Sequence, residues 1–145
     1  MDSFAILPHL KALAIAYVLA LPIAWDREKE GRSAGLRTFP LVAIAACGFI
    51  QACEGFLRGE AEATARIVEG VIGGIGFIGG GAILKGSAGI HGTATAAALW
   101  ATGAIGIASA LGAYDVAVVI SLMTFLTLAL LTPLKSNKSE PPGPI

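Results

Sequence analysis

The sequence has little charge: Asp, Glu, Lys and Arg make up 14% of its 145 residues. Soluble domains average about 25% charged residues, because a surface in water needs charge to cover it. The ten basic and ten acidic residues cancel, so the chain lacks the basic surplus of a nucleic-acid-binding protein. We therefore expect a protein whose surface faces lipid and that has no nucleic-acid partner.

Cysteine and histidine are also scarce, with two of each. Cys47 and Cys53 lie on one predicted helix about 9 Å apart along its axis, which is beyond the usual disulfide range. His9 and His91 are far apart, and no Cys/His cluster has zinc-ligand spacing. No serine–histidine–acid arrangement stands out. The sequence therefore predicts that the protein is not an enzyme and has no organic cofactor.

The chain does contain five apolar stretches, at residues 4–25, 39–57, 67–84, 93–111 and 116–134. A helix needs roughly 20 mainly apolar residues to cross the hydrocarbon core of a bilayer. The second and third stretches are marginal, because they contain Gln51, Glu54 and Glu69. We predict an all-α polytopic membrane protein with about five transmembrane helices over residues 1–134, followed by a disordered tail at 135–145.

The third stretch is rich in glycine and contains Gly74-Ile-Gly-Phe-Ile-Gly79, which matches the GxGxxG of a dinucleotide-binding turn. That match is accidental, because the acidic ribose partner about 20 residues further on is missing. Two interpretations remain for the segment, with which we group Trp100 of the fourth span. The glycines allow close helix packing, or they break the helix to expose carbonyls to an ion, and the two are compatible because one end can pack while the other bends. The glycines concerned are Gly73, Gly74, Gly76, Gly79, Gly80 and Gly81.

Several short blocks together resemble the membrane domain of the MgtC/SapB family. They are Asp26-Arg-Glu, Gly31-Arg-Ser-Ala-Gly-Leu-Arg-Thr38, the glycine segment, Gly92-Thr-Ala-Thr-Ala-Ala97 and Leu99-Trp100. The resemblance covers about residues 10–115 in the family's order. Asp26, Phe39, Gly73 and Ala94 depart from the usual pattern, and the cytoplasmic C-terminal domain of some relatives has no counterpart in this sequence.

The resemblance implies a five-helix bacterial inner-membrane protein linked to magnesium homeostasis, to growth at low magnesium and, in pathogens, to virulence. It leaves two roles open. In one, the protein binds or transports Mg²⁺. In the other, it moves no ion and regulates other membrane proteins, such as the ATP synthase, by contact. Small-residue faces on the third and fourth spans also predict self-association in either case.

The charged loop after the first span is the first candidate for an ion or partner site. We expect Asp26 and Glu28 to face inward as Mg²⁺ ligands, because Mg²⁺ is bound through one or two carboxylates. Arg27 and Arg37 would hold them, with Asp26 the natural partner of a buried Arg37. Thr38 and Thr95 complete the set of candidates on motif positions.

Basic residues predict the orientation, because cytoplasmic loops carry an excess of Lys and Arg. If five helices alternate, Arg58 and Arg66 fall on one side. The other side receives seven basic residues: Arg27, Lys29, Arg32, Arg37, Lys85, Lys135 and Lys138. We therefore expect the N-terminus outside and the tail in the cytoplasm.

Reporter fusions test this orientation. A fluorescent protein fused after Ile145 should fluoresce in the cytoplasm, and alkaline phosphatase fused at the same position should be inactive. The opposite pair of results would invert the topology.

Overall fold

A computed structural model describes residues 6–54, 59–86 and 89–136, and most of them lie in five helices. These helices are α1 (Ile6–Lys29), α2 (Thr38–Ala52), α3 (Ala61–Gly81), α4 (Thr93–Ala110) and α5 (Tyr114–Ser136). The predicted all-α polytopic membrane fold with a glycine-rich third helix is confirmed. Four of the helices are long and apolar enough to cross a bilayer, and α2, with 15 residues, is shorter.

A short hairpin between α3 and α4 is a feature that the sequence analysis did not anticipate. The predicted third span reaches residue 84, whereas α3 ends at Gly81. Strand β1 (Leu84–Gly86) then pairs antiparallel with β2 (Gly89–His91), with Leu84 opposite His91. Gly89 and Gly92 have positive φ, which lets the chain turn and start α4. Residues 55–58, 87–88 and 137–145, which include most of the predicted tail, lie outside the described residues.

The helices alternate in direction. At one end of the bundle, Gln51 Nε2 near the end of α2 donates to the His9 carbonyl near the start of α1, at 3.4 Å. At the other end, Arg27 Nη2 of α1 donates to Thr132 Oγ1 of α5, also at 3.4 Å. Helix α1 is therefore antiparallel to α2 and parallel to α5.

Two further polar contacts join α1 to α5 along the seam between them. The Lys11 ammonium lies 5.2 Å from the centroid of the Tyr114 ring, within the range of a cation–π contact. Midway along the seam, Ser121 Oγ donates to the Leu19 carbonyl at 2.6 Å. Polar contacts therefore join these two helices near both ends and in the middle.

Helix α4 is central and packs against each of the other four helices. Two glycines allow this. A Cβ at Gly106 would overlap the Ala43 carbonyl oxygen of α2, and a Cβ at Gly103 would overlap the Ile75 side chain of α3. Small residues at contact faces let helices approach closely in a bilayer, where lipid tails are as apolar as the side chains.

Replacing Gly106 with alanine should destabilise the bundle, because the obstructing atom belongs to the backbone of α2. We expect Gly106→Ala to lose about 1–3 kcal/mol of stability, the usual cost of overpacking. Thermal unfolding in detergent micelles measures this loss.

Gly48→Ala is the matched control, because the Gly48 Cβ position has no heavy atom within 4 Å. Alanine there should be neutral or stabilise α2, since it is the better helix former. Equal losses in the two variants would contradict the close approach at Gly106.

Candidate functional site

The corner between α1 and α2 is built by the residues that the sequence analysis selected. Gly31 takes up a left-handed conformation, with φ of 62°, and ends α1. Its N–H donates to the Glu28 carbonyl at 3.0 Å, and the Arg32 N–H donates to the Arg27 carbonyl at 3.1 Å. These two bonds form a Schellman motif, which satisfies carbonyls at a helix end and reverses the chain.

Glu28 then holds the returning loop. Its Oε2 accepts a hydrogen bond from the Leu36 N–H at 3.0 Å. Gly35 lies directly against this carboxylate, and a Cβ there would overlap Glu28 Oε2. The side chain thus fixes the path into α2, whose first residue, Thr38, donates its N–H to the Gly35 carbonyl at 3.0 Å.

Arg27, not Arg37, is the buried arginine of the corner. Its exposed fraction is 1%, and its Nε donates to Asp26 Oδ2 at 3.0 Å. Its Nη2 contacts the same carboxylate oxygen and also donates to Thr132 Oγ1 of α5 at 3.4 Å. The Asp26 side chain is 13% exposed. The expected pair of Asp26 with Arg37 is therefore replaced by a pair with the neighbouring residue.

The two carboxylates of the magnesium hypothesis point in different directions. Residues two apart on a helix are rotated by about 200°, so Asp26 and Glu28 lie on nearly opposite sides of α1. Asp26 is bound to Arg27, and Glu28 is bound to the Leu36 amide. Over residues 6–54, 59–86 and 89–136, the structure contains no cluster of three or more His, Cys, Asp or Glu side chains suited to a metal ion.

The other candidates at this end of the bundle are not joined to that pair. Arg37 is exposed, and within the described part of the chain its side chain makes no ion pair. Thr38 is half-buried at the start of α2, and Thr95 is buried in the first turn of α4. Among the residues that the structure describes, no hydrogen bond links either threonine side chain to Asp26 or Arg27.

The glycines of α3 lie in a continuous helix from Ala61 to Gly81. The structure therefore has the packed helix and not the broken one. Gly79 packs closely on α4, where its Cβ position is 3.3 Å from the Ala96 carbonyl oxygen. This contact uses the small surface at the start of the fourth span. The Cβ positions of the other glycines have no heavy atom within 4 Å: Gly70, Gly73, Gly74, Gly76, Gly80 and Gly81.

Apolar grooves flank α3 on both sides. One, of about 430 Å³, separates it from α2 and is lined by residues that include Phe49, Cys53 and Gly74. The other, of about 330 Å³, lies between α3, α4 and α5 and is lined in part by the exposed Trp100. Helix α3 is therefore the most loosely packed of the five helices.

Sequence reasoning missed three residues of these contacts. Thr132 meets Arg27 across 105 residues, and no spacing in the sequence connects them. Gly103 and Gly106 carry the closest approaches of α4. The abundance of small residues on this uncharged span is the signal of close helix packing that the sequence offered.

The fold and the corner define a multi-pass membrane protein, a helical bundle whose corner combines the buried Arg27–Asp26 pair with an exposed hydrogen bond from Leu36 to Glu28. The chain belongs to the MgtC family, whose model matches residues 13–137. It is 35% identical to an uncharacterised protein of Synechocystis sp. over 92% of its length. It is 36% identical to Protein MgtC of Brucella abortus over 88% of its length, and 32% identical to Protein MgtC of Salmonella typhimurium over 84%.

The chain spans about half the length of these relatives: 56% of the Synechocystis protein, 53% of the Brucella protein and 52% of the Salmonella protein. No solved structure is significantly similar to it.

Removing the Asp26 carboxylate should destabilise the protein, because it leaves the buried Arg27 charge unpaired. We expect Asp26→Ala to lose about 3–5 kcal/mol, the usual cost of breaking a buried ion pair on one side. Adding Arg27→Met should restore much of the loss, and chemical denaturation in mixed micelles measures both variants.

Asp26→Ala combined with Arg37→Gln is the matched control and should stay as unstable as the single variant. Restoration by Arg37→Gln instead of Arg27→Met would show that Arg37 is the partner after all.

Proposed function

We propose that the protein is a bacterial inner-membrane protein of magnesium homeostasis that acts by contact with other membrane proteins and moves no ion itself. Its N-terminus would lie outside and its tail in the cytoplasm. The observation that carries the proposal is the distribution of charge at the corner between α1 and α2. Asp26, Arg27 and Glu28 are engaged inside the chain, whereas Arg37 is exposed.

The magnesium link comes from the family, because two of the relatives above carry the name Protein MgtC. Binding of Mg²⁺ at the corner would have to compete with the bonds already present. A cation at Asp26 would lie beside the buried Arg27 guanidinium, which already binds Oδ2, and a cation at Glu28 would share that carboxylate with the Leu36 N–H. The Arg27 charge would repel the incoming cation.

The interior of the bundle also supports a role without permeation. The buried hydroxyls of Thr102 and Ser109 donate to carbonyls of their own helix, Ala98 and Ile105, both at 2.8 Å. Each hydroxyl is thus bonded within its own helix, and both side chains are fully buried in the packed interior. A contact role, in contrast, requires a charged group that is free to reach a partner, and the exposed Arg37 at the start of α2 meets that requirement.

Magnesium flux and growth together test this proposal. The purified protein, reconstituted in liposomes that contain a magnesium-sensitive dye, should give no flux above empty liposomes. An ionophore added at the end verifies the dye response. The same protein should restore growth at low magnesium in a bacterium that lacks its own homologue. Flux in the first assay would establish a transporter, and failure in the second would remove the magnesium link.

Arg37→Gln should abolish the restored growth while thermal stability stays unchanged, because its side chain has no partner within the described chain. Lys29→Gln removes an exposed positive charge from the same corner outside the motif and is the matched control. Equal growth with all three proteins would exclude Arg37 as the contact residue.

A further inference from the structure

The lipid-facing side of α3 consists largely of glycine. Only Ile75 and Gly79 of its 21 residues are buried, and both face α4. At 100° per residue, the side of the helix opposite Ile75 is centred on Phe77. We call this side the outer face of α3. It carries Gly70, Gly73, Phe77, Gly80 and Gly81, and Gly74 lies at its border with the groove toward α2.

These glycines lower the stability of the helix, and no close contact inside the chain compensates for that loss. Each costs roughly 1 kcal/mol relative to alanine in a helix interior. Gly103 and Gly106 of α4 admit a neighbouring helix, but the space outside the outer face of α3 is empty to 4 Å. Such a smooth face is useful when another backbone approaches it from outside.

Phe77 makes the outer face self-complementary. Its side chain is 87% exposed, the largest exposed fraction among the large apolar side chains of the described residues. Glycines lie three and four residues away on both sides of it, so one projecting ring stands among shallow depressions on the same helix. A two-fold contact needs this arrangement, because each copy must supply both the projection and the depression.

Charge at the outer end of the same face fits a second copy as well. Arg66 lies one turn before Gly70 on this face and pairs with Glu62 at 2.8 Å in an exposed position. Glu69 is exposed nearby. Two copies inserted in the same orientation bring their α3 helices together at equal depth. The cation of each copy then lies beside the carboxylates of the other.

We propose that the outer face of α3 is the interface of a parallel homodimer, in which Phe77 of each copy packs against the glycines of its partner. The two-fold axis is perpendicular to the membrane. In the dimer, α3 packs against α3 of the second copy, a contact that its outer face lacks within one chain.

Cysteine cross-linking in native membranes tests the position of the interface. In a background with Cys47→Ser and Cys53→Ser, Gly73→Cys should give a disulfide-linked dimer on mild oxidation. Leu130→Cys, on the lipid-exposed side of α5, is the matched control and should stay monomeric. Absence of a cross-link at residue 73, or equal cross-linking at both positions, would overturn the proposal.

Bulky and truncating variants test the packing. Gly73→Leu and Phe77→Ala should each raise the dimer dissociation constant at least tenfold, measured by fluorescence energy transfer between labelled copies in liposomes. Ala14→Leu, a lipid-facing change on α1, should leave it unchanged. The monomer's thermal stability in detergent identifies any variant that unfolds, and Phe77→Ala adds no bulk. Wild-type protein that stays monomeric at high density in the bilayer would overturn the proposal.

Discussion

The bundle depends on how closely backbones approach along α4. In a bilayer, burial of apolar surface provides no drive for helices to associate, so van der Waals contact and hydrogen bonds must do so. A Cβ at Gly106 would overlap the Ala43 carbonyl oxygen of the α2 backbone, and a Cβ at Gly103 would overlap the end of the Ile75 side chain. A larger side chain at Gly106 would move the α2 backbone, whereas at Gly103 the Ile75 side chain would have to shift. Because α4 touches all four other helices, the geometry of the entire domain follows from these contacts.

The charged corner follows a different logic. Its charges bind within the chain: Arg27 is buried against Asp26 and Thr132, and the exposed Glu28 accepts the hydrogen bond that holds the loop leading into α2. Residues that resemble an ion site in sequence thus serve to turn the chain and to join α1 to α5. Buried pairs of this kind are weak evidence for stability but costly to break, which suits a structural role for the motif.

Number and type of the helices were predictable, because long uncharged apolar runs have few solutions in lipid besides a helix. The end of α3 was not, since glycine occurs both in that helix and in the hairpin after it. Nor could the sequence distinguish Arg27 from Arg37 as the buried arginine. Both lie near a helix end, and only the rotation of α1 relative to α5 decides which one is covered. Close packing by glycines of the third span could be anticipated, but that Gly79 makes the contact while its neighbours face open space depends on which face meets α4.

The length of α2 has a consequence for the membrane itself. Its 15 residues rise about 22 Å, while the hydrocarbon core is about 30 Å thick. Longer helices such as α1 and α5 can match the full thickness. The apolar surface that faces lipid is therefore shorter along α2 than along these two helices. A bilayer accommodates a short helix by local thinning, by flanking side chains that reach the interface or by helix association, at a cost of fractions of a kcal/mol for each ångström of mismatch. Along α2 the protein is therefore better matched to thin bilayers than to thick ones.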